Sequence, residues 1–590
     1  MYKEDLYIIA YERIKSAPGN MTPGTDGATI DGFSLETIRK TIQEMRTEQF
    51  QFKPVQVTYI PKPNGKMRKL GIPSTRDKIV QEVIRMILEC IYDSPYGAYF
   101  QETSHGFRPN HSCHTALRPI RTTWTATNWF LEGDIQACFD MIDHTTLENI
   151  LRKKIQDERF LNLIWKLLRA GYLDLQGTQH NSLAGTPQGG IVSPILSNVY
   201  LHELDEKVEE ICKRETKGKK KQENPNYKKL SDRMYSLRKK GVAQTKEFRE
   251  LEKRRRSLPS VVVNDPHFIR IKYQRYADDW IIGICGPRTL AEKVKEELRN
   301  FLKDSLKLTL SEEKTCITHA RREEAQFLGT LISVGGGSGS EKIALTKNGS
   351  GHLIKRRSTG KEILLRIPMK KVIQKLQAKG ICLAEGYPLA KAGWTLLDAD
   401  QIVALYSSIN RGLQNYYRFA DNFQQLSRIQ YILQFSLVRT LAKKYQVPVK
   451  HIFRKFGKNV TITVKGQNGK KDRLVSFYLN HDWTKQREGF RTNETRIDLI
   501  QWGTRMRTRS KLGKACCVCN TITQVEMHHL RHIRKTGGKK PTGFNEILQA
   551  LNRKQVPVCK TCHQKIHRGD YDNMRLKDLA YNPYSSDERK

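Results

Sequence analysis

The stretch "RYADDWIIGI" at residues 275–284 places Asp278 and Asp279 side by side within a run of β-branched and aromatic residues that is typical of a buried strand. An unpaired buried carboxylate is strongly unfavourable, so such a pair either stays in water at a hairpin turn or binds a metal ion. Because Asp is a common turn residue, the pair alone does not decide between these interpretations. Supporting residues from elsewhere in the chain are needed.

A third acidic residue, Asp134, follows a short aromatic and aliphatic run in "NWFLEGDIQACFDMID" and is expected at the C-terminal end of a strand. If the hairpin around Asp278 lies beside that strand, three carboxylates converge. They repel one another unless divalent cations neutralise them, and their hard oxygen ligands suit Mg²⁺. Two such ions can activate the 3′-hydroxyl of a primer and stabilise a leaving pyrophosphate. The sequence therefore predicts a magnesium site at Asp134, Asp278 and Asp279.

The charge of the chain indicates its partner. There are 103 Lys and Arg residues against 61 Asp and Glu, a formal net charge of +42, which favours nucleic acid over an acidic small molecule. Between Lys213 and Arg256, 18 Lys and Arg stand against 6 Asp and Glu, which predicts a solvated insertion, an RNA contact surface, or both. No apolar run approaches the roughly 20 residues that span a bilayer, so we expect no membrane partner and a reducing compartment.

Composition shifts divide the chain. Residues 1 to about 345 alternate helical and strand-like patterns and end at the glycine-rich "SVGGGSGSEK". From about 363 to 445 the apolar spacing predicts a helical bundle. Residues 455–512 are short, basic and strand-like, and a cysteine-rich tail begins near residue 513.

Two further stretches lie near the acidic residues. "YIPKPNGKMRKLGIP" predicts a hairpin with Lys62 and Arg68 on one face, if the turn keeps the register, and these cations suit a triphosphate. "AGTPQGGIVSPILSN" contains Gly185, Gly189 and Gly190, which allow close backbone approach, so this loop can lie against a base pair. In the same loop Ser193 is expected to be an N-cap, with proline at the first helical position. Each stretch taken alone is also typical of an ordinary turn.

The tail carries a second set of ligands. Cys516-x2-Cys519 and Cys559-x2-Cys562 have the spacing of a four-cysteine structural zinc site, and Cys517 competes with Cys516 for the first position. We favour Cys516 because it gives the two-residue spacing, and zinc would supply folding energy that so small a core lacks. A structural zinc knuckle is one interpretation of the tail. The residues that a knuckle does not need are His528, His529, Asn552, His563 and His567.

The order of these motifs resembles one family. "PGTDG", "IPKPNGKMRKLGIP", "GDIQACFD", "GTPQGGIVSPILSN", "YADD", "SEEKT" and "FLG", followed by "RGLQNYYRFADN" and "SLVRTLAKKY", resemble the reverse transcriptases encoded by group II introns. The resemblance covers nearly the whole chain and implies a multidomain α+β fold. Its parts would be the right-hand polymerase fingers and palm (1–345), an α-helical thumb called domain X (346–454), a small basic DNA-binding region (455–512) and a zinc-stabilised ββα HNH endonuclease (513–590).

The resemblance also implies roles for single residues. Asp134, Asp278 and Asp279 match the catalytic Mg²⁺ ligands. Phe139 matches the side chain that packs under the sugar and excludes a 2′-hydroxyl, although ordinary core packing is the alternative. The substrate contacts would be Lys62 and Arg68 at the triphosphate, Gln188 near the templating base pair, and Lys314 as a proton donor to pyrophosphate.

The tail resembles HNH endonucleases, in which a ββα unit holds one divalent ion. By that resemblance His529 would be the general base that activates water, and His528 with His563 or His567 would bind the ion. Asn552 would orient the unit or assist the metal.

We therefore interpret the chain as an RNA-directed DNA polymerase and splicing maturase that binds group II intron RNA. It would nick target DNA with its HNH domain and extend the DNA primer on an RNA template with dNTPs, using Mg²⁺ at both centres and structural Zn²⁺. The bacterial cytoplasm or an organellar matrix is the expected location. The alternatives are a pure RNA-binding maturase, which would not need three carboxylates, and a stand-alone host reverse transcriptase, which would need neither domain X nor the tail.

Overall fold

The computed structural model describes most of the chain, in segments. These are residues 1–15, 22–61, 65, 67–94, 97–174, 178–180, 185, 189–241, 245–262, 265–335, 342–347, 352–358, 362–465, 472–484, 489–490, 511–529 and 555–571. Among them, no helix is both long enough and apolar enough to cross a bilayer.

The N-terminal part mixes helices with short strands. Its elements are α1 (Glu4–Lys15), α2 (Leu35–Arg46), β1 (Val55–Pro61), β2 (Met67–Ile72), α3 (Thr75–Tyr92), β3 (Asp93–Ser94), β4 (Gly97–Ala98), α4 (Cys113–Thr123), β5 (Trp129–Asp134), α5 (Cys138–Met141), α6 (His144–Arg152), α7 (Glu158–Arg169), β6 (Tyr172–Leu173) and β7 (Gln179–His180). Helix α7 illustrates how the local sequence determines where a helix forms and begins. Asp157 accepts a hydrogen bond from the backbone N–H of Phe160 as its N-cap, and its apolar residues recur at helical spacing.

A four-stranded antiparallel sheet forms the centre of the part expected to be the polymerase, residues 1–345, which we call the polymerase-like part. The elements that follow β7 are α8 (Ser193–Glu215), α9 (Pro225–Lys239), α10 (Lys246–Arg256), β8 (Arg270–Tyr276), β9 (Asp279–Cys285), α11 (Arg288–Asp304) and β10 (Cys316–His319). The strand order is β10-β5-β9-β8. The largest apolar core lies between this sheet and the surrounding helices, where Leu131 of β5, Leu201 of α8 and Leu298 of α11 are fully buried.

The start of α8 differs from the prediction. Its N-cap is Val192, and Ser193 is already the first helical residue, so the expectation that Ser193 is the N-cap is wrong by one position. Val192 has helical backbone angles, with φ −85° and ψ −20°, which extends the helix back by one residue. Pro194 still lies in the first turn, where its missing N–H breaks no helical hydrogen bond.

The basic insertion folds as a pair of exposed helices. Met234 is the buried residue of α9, and Phe248 is that of α10. Arg233 and Glu247 join the two helices by an ion pair 2.5 Å long. Most of the Lys and Arg side chains on these two helices are exposed to solvent.

A helical bundle follows the polymerase-like part. The elements are β11 (Ala325–Phe327), β12 (Thr330–Val334), β13 (Lys342–Lys347), β14 (Leu353–Ser358), β15 (Ile363–Arg366), α12 (Met369–Ala378), α13 (Ala399–Tyr416), α14 (Leu426–Tyr445) and α15 (Val449–Phe456). The bundle has a core of its own that includes Tyr406 and Leu437. Strand β15 pairs with β12, so a sheet crosses the boundary predicted at residue 345. The bidentate ion pair of Arg121 with Asp421 adds a further link between the two parts.

Short strands and one helix complete the described chain. They are β16 (Ile462–Val464), β17 (Arg473–Val475), β18 (Val525–His529), β19 (Gln555–Cys559) and α16 (Lys560–Arg568). Strands β18 and β19 are antiparallel, and α16 follows β19 directly. Met527 of the tail and Leu512, which directly precedes it, lie in the same apolar core as the N-terminal helices, so the tail packs against the polymerase-like part.

Candidate active site and tail metal cluster

Three carboxylates meet at one end of the central sheet. Asp134 is the last residue of β5, and its cross-strand partner is Asp279, the first residue of β9. Tyr276 and Asp279 pair across the β8–β9 hairpin, which leaves Ala277 and Asp278 as its turn. The structure therefore brings together the three aspartates that the sequence singled out.

The electrostatics of this cluster favour a bound cation. Burial and then the charge of Asp134 raise the pKa of Asp278. Burial, Asp134 and Asp278 together raise the pKa of Asp279 to about 7. A divalent cation would relieve this repulsion, and three converging carboxylate oxygens are the ligand type that Mg²⁺ prefers.

Lys314 lies beside the same cluster. Its Nζ donates a hydrogen bond 2.5 Å long to Oδ2 of Asp134, and this bond raises the pKa of Lys314. The lysine side chain is 66% exposed. An ammonium group on a solvent-facing side chain can reach the mouth of the site.

A buried ion pair stabilises the β8–β9 hairpin on its protein-interior side. Arg275 and Asp205 are both fully buried, with Nη2 of Arg275 2.6 Å from Oδ2 of Asp205. Burial opposes the charge of Arg275, but the adjacent Asp205 outweighs it and raises the pKa of the guanidinium. Arg275 also donates to the carbonyl of Ala277 at 2.9 Å and to Oγ of Ser104 at 2.7 Å. The guanidinium thus fixes the turn that carries Asp278.

Tight backbone packing constrains the same turn. Ala277 has a φ of +58°, a left-handed conformation that is unfavourable for a residue with a Cβ. A Cβ added to Gly106 would lie 2.3 Å from the backbone nitrogen of Ala277, so only glycine fits there. The strained turn is therefore clamped between Gly106 and the Arg275 guanidinium.

The glycine loop also packs closely. A Cβ on Gly185 would lie 2.6 Å from the carbonyl oxygen of Asp140, and one on Gly189 would lie 2.5 Å from that of Gly71. Both glycines have positive φ, at +87° and +105°. The loop is thus fitted between α5 and β2, which is the close backbone approach that the sequence predicts.

Phe139 and Arg68, two further residues that the sequence singled out, both have solvent-accessible side chains. Phe139 belongs to α5, is only partly buried, and meets Phe107 edge to face with ring centroids 6.2 Å apart. Phe107 is itself 55% exposed, so this aromatic pair borders solvent. Arg68 is exposed on β2. Its positive charge opposes the increase in the pKa of Asp278 that burial and Asp134 cause, so the guanidinium is close enough to interact electrostatically with the cluster.

Four cysteines come together in the tail. Cys516, Cys519, Cys559 and Cys562 place their Sγ atoms within 4.8 Å of one another. Cys517 is buried outside this group, and burial raises the pKa of its thiol to about 12. The geometry therefore selects Cys516 over Cys517.

Three histidines of the tail form a second group with an acidic residue from the N-terminal part. His528, His563 and His567 each bring a ring nitrogen within 4.8 Å of the others and of a carboxylate oxygen of Asp31. His528 is on β18, and the other two are on α16, one turn apart. His529 lies outside this group and is 1% exposed.

Comparison with known proteins identifies the family. A reverse transcriptase (RNA-dependent DNA polymerase) model matches residues 60–332, and a type II intron maturase model matches residues 360–495. The chain is 34% identical over 587 residues to the group II intron-encoded protein LtrA of Lactococcus lactis, covering 96% of this chain and 94% of that protein. The chain belongs to the group II intron reverse transcriptase and maturase family. It is also 38% identical over 597 residues to a putative COX1/OXI3 intron 1 protein of Saccharomyces cerevisiae, covering 97% and 69%.

Membership in the group II intron family supports two activities, reverse transcription and intron maturation. The maturase match over residues 360–495 argues against a stand-alone host reverse transcriptase. The polymerase match, together with three converging carboxylates, argues against a pure RNA-binding maturase.

Three of the predicted site residues of this reverse transcriptase, Lys62, Gln188 and Asn552, lie outside the described residues. Two residues that were not predicted from the sequence, Arg275 and Asp31, do lie among the described residues. Arg275 could have been found from the alternation of β8, because it shares a face with the buried Ile271 and Tyr273 and a buried arginine needs an acidic partner. Asp31 carries no such local signal.

The position of Phe139 leads to a prediction about sugar selection. Replacing Phe139 with alanine should raise the ratio of ribonucleotide to deoxyribonucleotide incorporation by about 10-fold or more, because in the role that the family resemblance implies the ring blocks a 2′-hydroxyl. Single-nucleotide primer extension with paired rNTP and dNTP measures the ratio. The variant Phe139→Tyr keeps the ring and should behave like wild type. An unchanged ratio in an active Phe139→Ala enzyme would assign Phe139 to core packing alone.

Proposed function

We propose that this reverse transcriptase binds its group II intron RNA, nicks target DNA with the tail, and copies the inserted RNA into DNA from the nicked strand. The observation that carries this proposal is the presence, in one chain, of a three-carboxylate cluster and a three-histidine cluster beside four cysteines. Polymerase and nuclease chemistry both rely on such divalent-metal ligand sets.

At the polymerase site, Asp134, Asp278 and Asp279 would hold Mg²⁺, which supplies activation of the primer 3′-hydroxyl and charge neutralisation at the triphosphate. Arg68 would bind the triphosphate, and Phe139 would restrict the sugar. Lys314 would give its proton to the leaving pyrophosphate once its hydrogen bond to Asp134 is replaced. Lys62 and Gln188 remain predictions for the triphosphate and the templating base pair.

In the tail, we assign β18, β19 and α16 to an HNH-type endonuclease unit. Cys516, Cys519, Cys559 and Cys562 (the cysteine site) would bind structural zinc, which suits four convergent thiols. His528, His563 and His567 would hold the divalent ion that polarises the scissile phosphate. His529 would act as general base and Asn552 would support the unit.

The two metal roles in the tail can be separated by mutation. Cys562→Ser should release zinc and unfold the tail, because thiolate zinc binding supplies most of its folding energy. His529→Ala should keep zinc and lower the rate of DNA nicking by about 10² to 10⁴-fold, the range for loss of a general base. The measurement is strand-specific cleavage of a target duplex by the protein with its intron RNA, with zinc quantified on the same samples.

Two outcomes would contradict this assignment. Normal nicking by His529→Ala would remove the general-base role, and loss of zinc from that variant would make the histidine structural. Cys517→Ser serves as the matched control, since this cysteine lies outside the cysteine site and should leave the zinc content unchanged.

A further inference from the structure

The segment that contains Asp31 docks along one edge of the tail. The backbone N–H of Gly32 donates to the carbonyl of Met527 at 2.9 Å, and the N–H of Met527 donates to the carbonyl of Phe33 at 3.1 Å. Phe33 stacks on Tyr11 of α1, and the Tyr11 hydroxyl donates to Oε1 of Gln555 at 2.6 Å. The N-terminal segment thus extends the β18–β19 sheet and aims Asp31 at the histidines.

One carboxylate oxygen of Asp31 completes the histidine group. Its Oδ2 lies 3.3 Å from Nε2 of His563, 3.5 Å from Nε2 of His567 and 3.8 Å from Nδ1 of His528. The Asp31 side chain is only 7% exposed. Three imidazole nitrogens and one carboxylate oxygen are a complete tetrahedral set for a divalent transition metal such as Zn²⁺ or Co²⁺.

The other carboxylate oxygen engages His529. Oδ1 of Asp31 accepts from the backbone N–H of His529 at 2.8 Å and lies 3.1 Å from Nδ1 of its ring. Nε2 of the same ring lies 2.9 Å from Nε2 of Gln555, which can donate to it. Both ring nitrogens of His529 therefore have partners inside the protein, and the ring is shielded from a DNA phosphate.

We propose that Asp31 is the fourth ligand of a divalent ion bound by His528, His563 and His567, so that this ion joins the tail to the polymerase part and its centre is closed to DNA. A catalytic metal needs an open position for water or substrate, and the docked Asp31 occupies it. The claim that Asp31 blocks the metal centre rests on the proposed endonuclease function. The claim that Asp31 is a metal ligand does not depend on that function. Nicking then requires Asp31 to leave the ion.

Titration of the full-length protein, prepared with one zinc ion per chain at the cysteine site, with Co²⁺ tests the ligand assignment. Wild type should bind one Co²⁺ beyond the cysteine site, with the visible absorption of a tetrahedral nitrogen and oxygen site. Asp31→Asn should weaken Co²⁺ binding by at least about 10- to 100-fold. Loss of a residue that only hydrogen-bonds to a metal ligand already produces a loss of that size, and Asp31 is proposed as a ligand itself. Asp26→Asn, on the same loop but paired with Lys53, should bind Co²⁺ like wild type. Unchanged affinity in Asp31→Asn, or an equal loss in Asp26→Asn, overturns the proposal.

Nicking of a target duplex at saturating metal, with intron RNA bound, tests the closure. Asp31→Asn should nick about tenfold faster than wild type if about one-tenth of wild type is undocked. His567→Gln, at the exposed ligand, should also weaken Co²⁺ binding but should slow nicking. Slower nicking by Asp31→Asn at saturating metal overturns the closure. If Co²⁺ binding depends on Asp31 but neither wild type nor Asp31→Asn nicks DNA, the ligand assignment stands and the endonuclease function fails.

Discussion

Replacing Asp278 with alanine is expected to lower primer extension on an RNA template by at least about 10³-fold while intron RNA affinity stays the same. Loss of a metal ligand removes several kcal/mol of transition-state stabilisation, and each 1.36 kcal/mol corresponds to about tenfold in rate. RNA affinity arises from many cationic contacts spread over the surface of a chain with a net charge of +42. Steady-state extension with Mg²⁺ and filter binding of intron RNA, both at one fixed salt concentration, measure the two quantities.

The control for this variant is Asp304→Ala. Asp304 is exposed at the end of α11, and it is not among the charges that shift the pKa of Asp278 or Asp279, so its replacement removes the same charge without acting on the cluster. It should leave extension unchanged. Near-normal extension by Asp278→Ala would show that this carboxylate is not a metal ligand, and a parallel loss of RNA affinity would show that polymerase and maturase functions are not separable at this residue.

Much of the polymerase site follows from the local sequence. The alternation around "RYADDWIIGI" predicts paired strands, and the apolar run before Asp134 predicts a strand that ends at an acid. Since neighbouring antiparallel strands bring their ends together, two short patterns are enough to place three carboxylates at one edge of the sheet. The close packing of the glycine loop could also be predicted from the sequence, because Gly185 and Gly189 have no side chain that could collide with the backbone next to them.

The docking of the tail could not be predicted in this way. Asp31 and the histidine at 567 are separated by more than five hundred positions, and "TIDGF" has the composition of an ordinary turn. The contact depends on how β18 presents its edge to the N-terminal segment, which is a property of tertiary packing. The same limit applies to β15, which lies in a stretch expected to be helical and is a strand because β12 offers it a partner.

The buried ion pair behind the hairpin should have the largest effect on stability. Asp205→Leu or Arg275→Met alone leaves an unpaired charge in a fully buried position, which destabilises a fold by about 3–5 kcal/mol. The double variant should recover much of this loss, since well-packed apolar residues often replace a buried pair at little cost. A shift of the urea midpoint, followed by tryptophan fluorescence, measures these effects. The exposed pair Arg288 with Glu292 is the control, and its removal should change stability by less than about 1 kcal/mol.

Activity should separate from stability in the same set of variants. The double variant lacks the guanidinium that donates to the carbonyl of Ala277, so the left-handed turn loses its clamp and Asp278 is no longer held in place. Restored stability should therefore come with primer extension that is still reduced by about 10-fold or more, as expected when a catalytic group moves by about 1 Å. The reduction should fall on kcat rather than on the KM for dNTP, because Arg275 is buried away from substrate. Full recovery of extension in the double variant would mean that the ion pair stabilises the fold without positioning the catalytic turn.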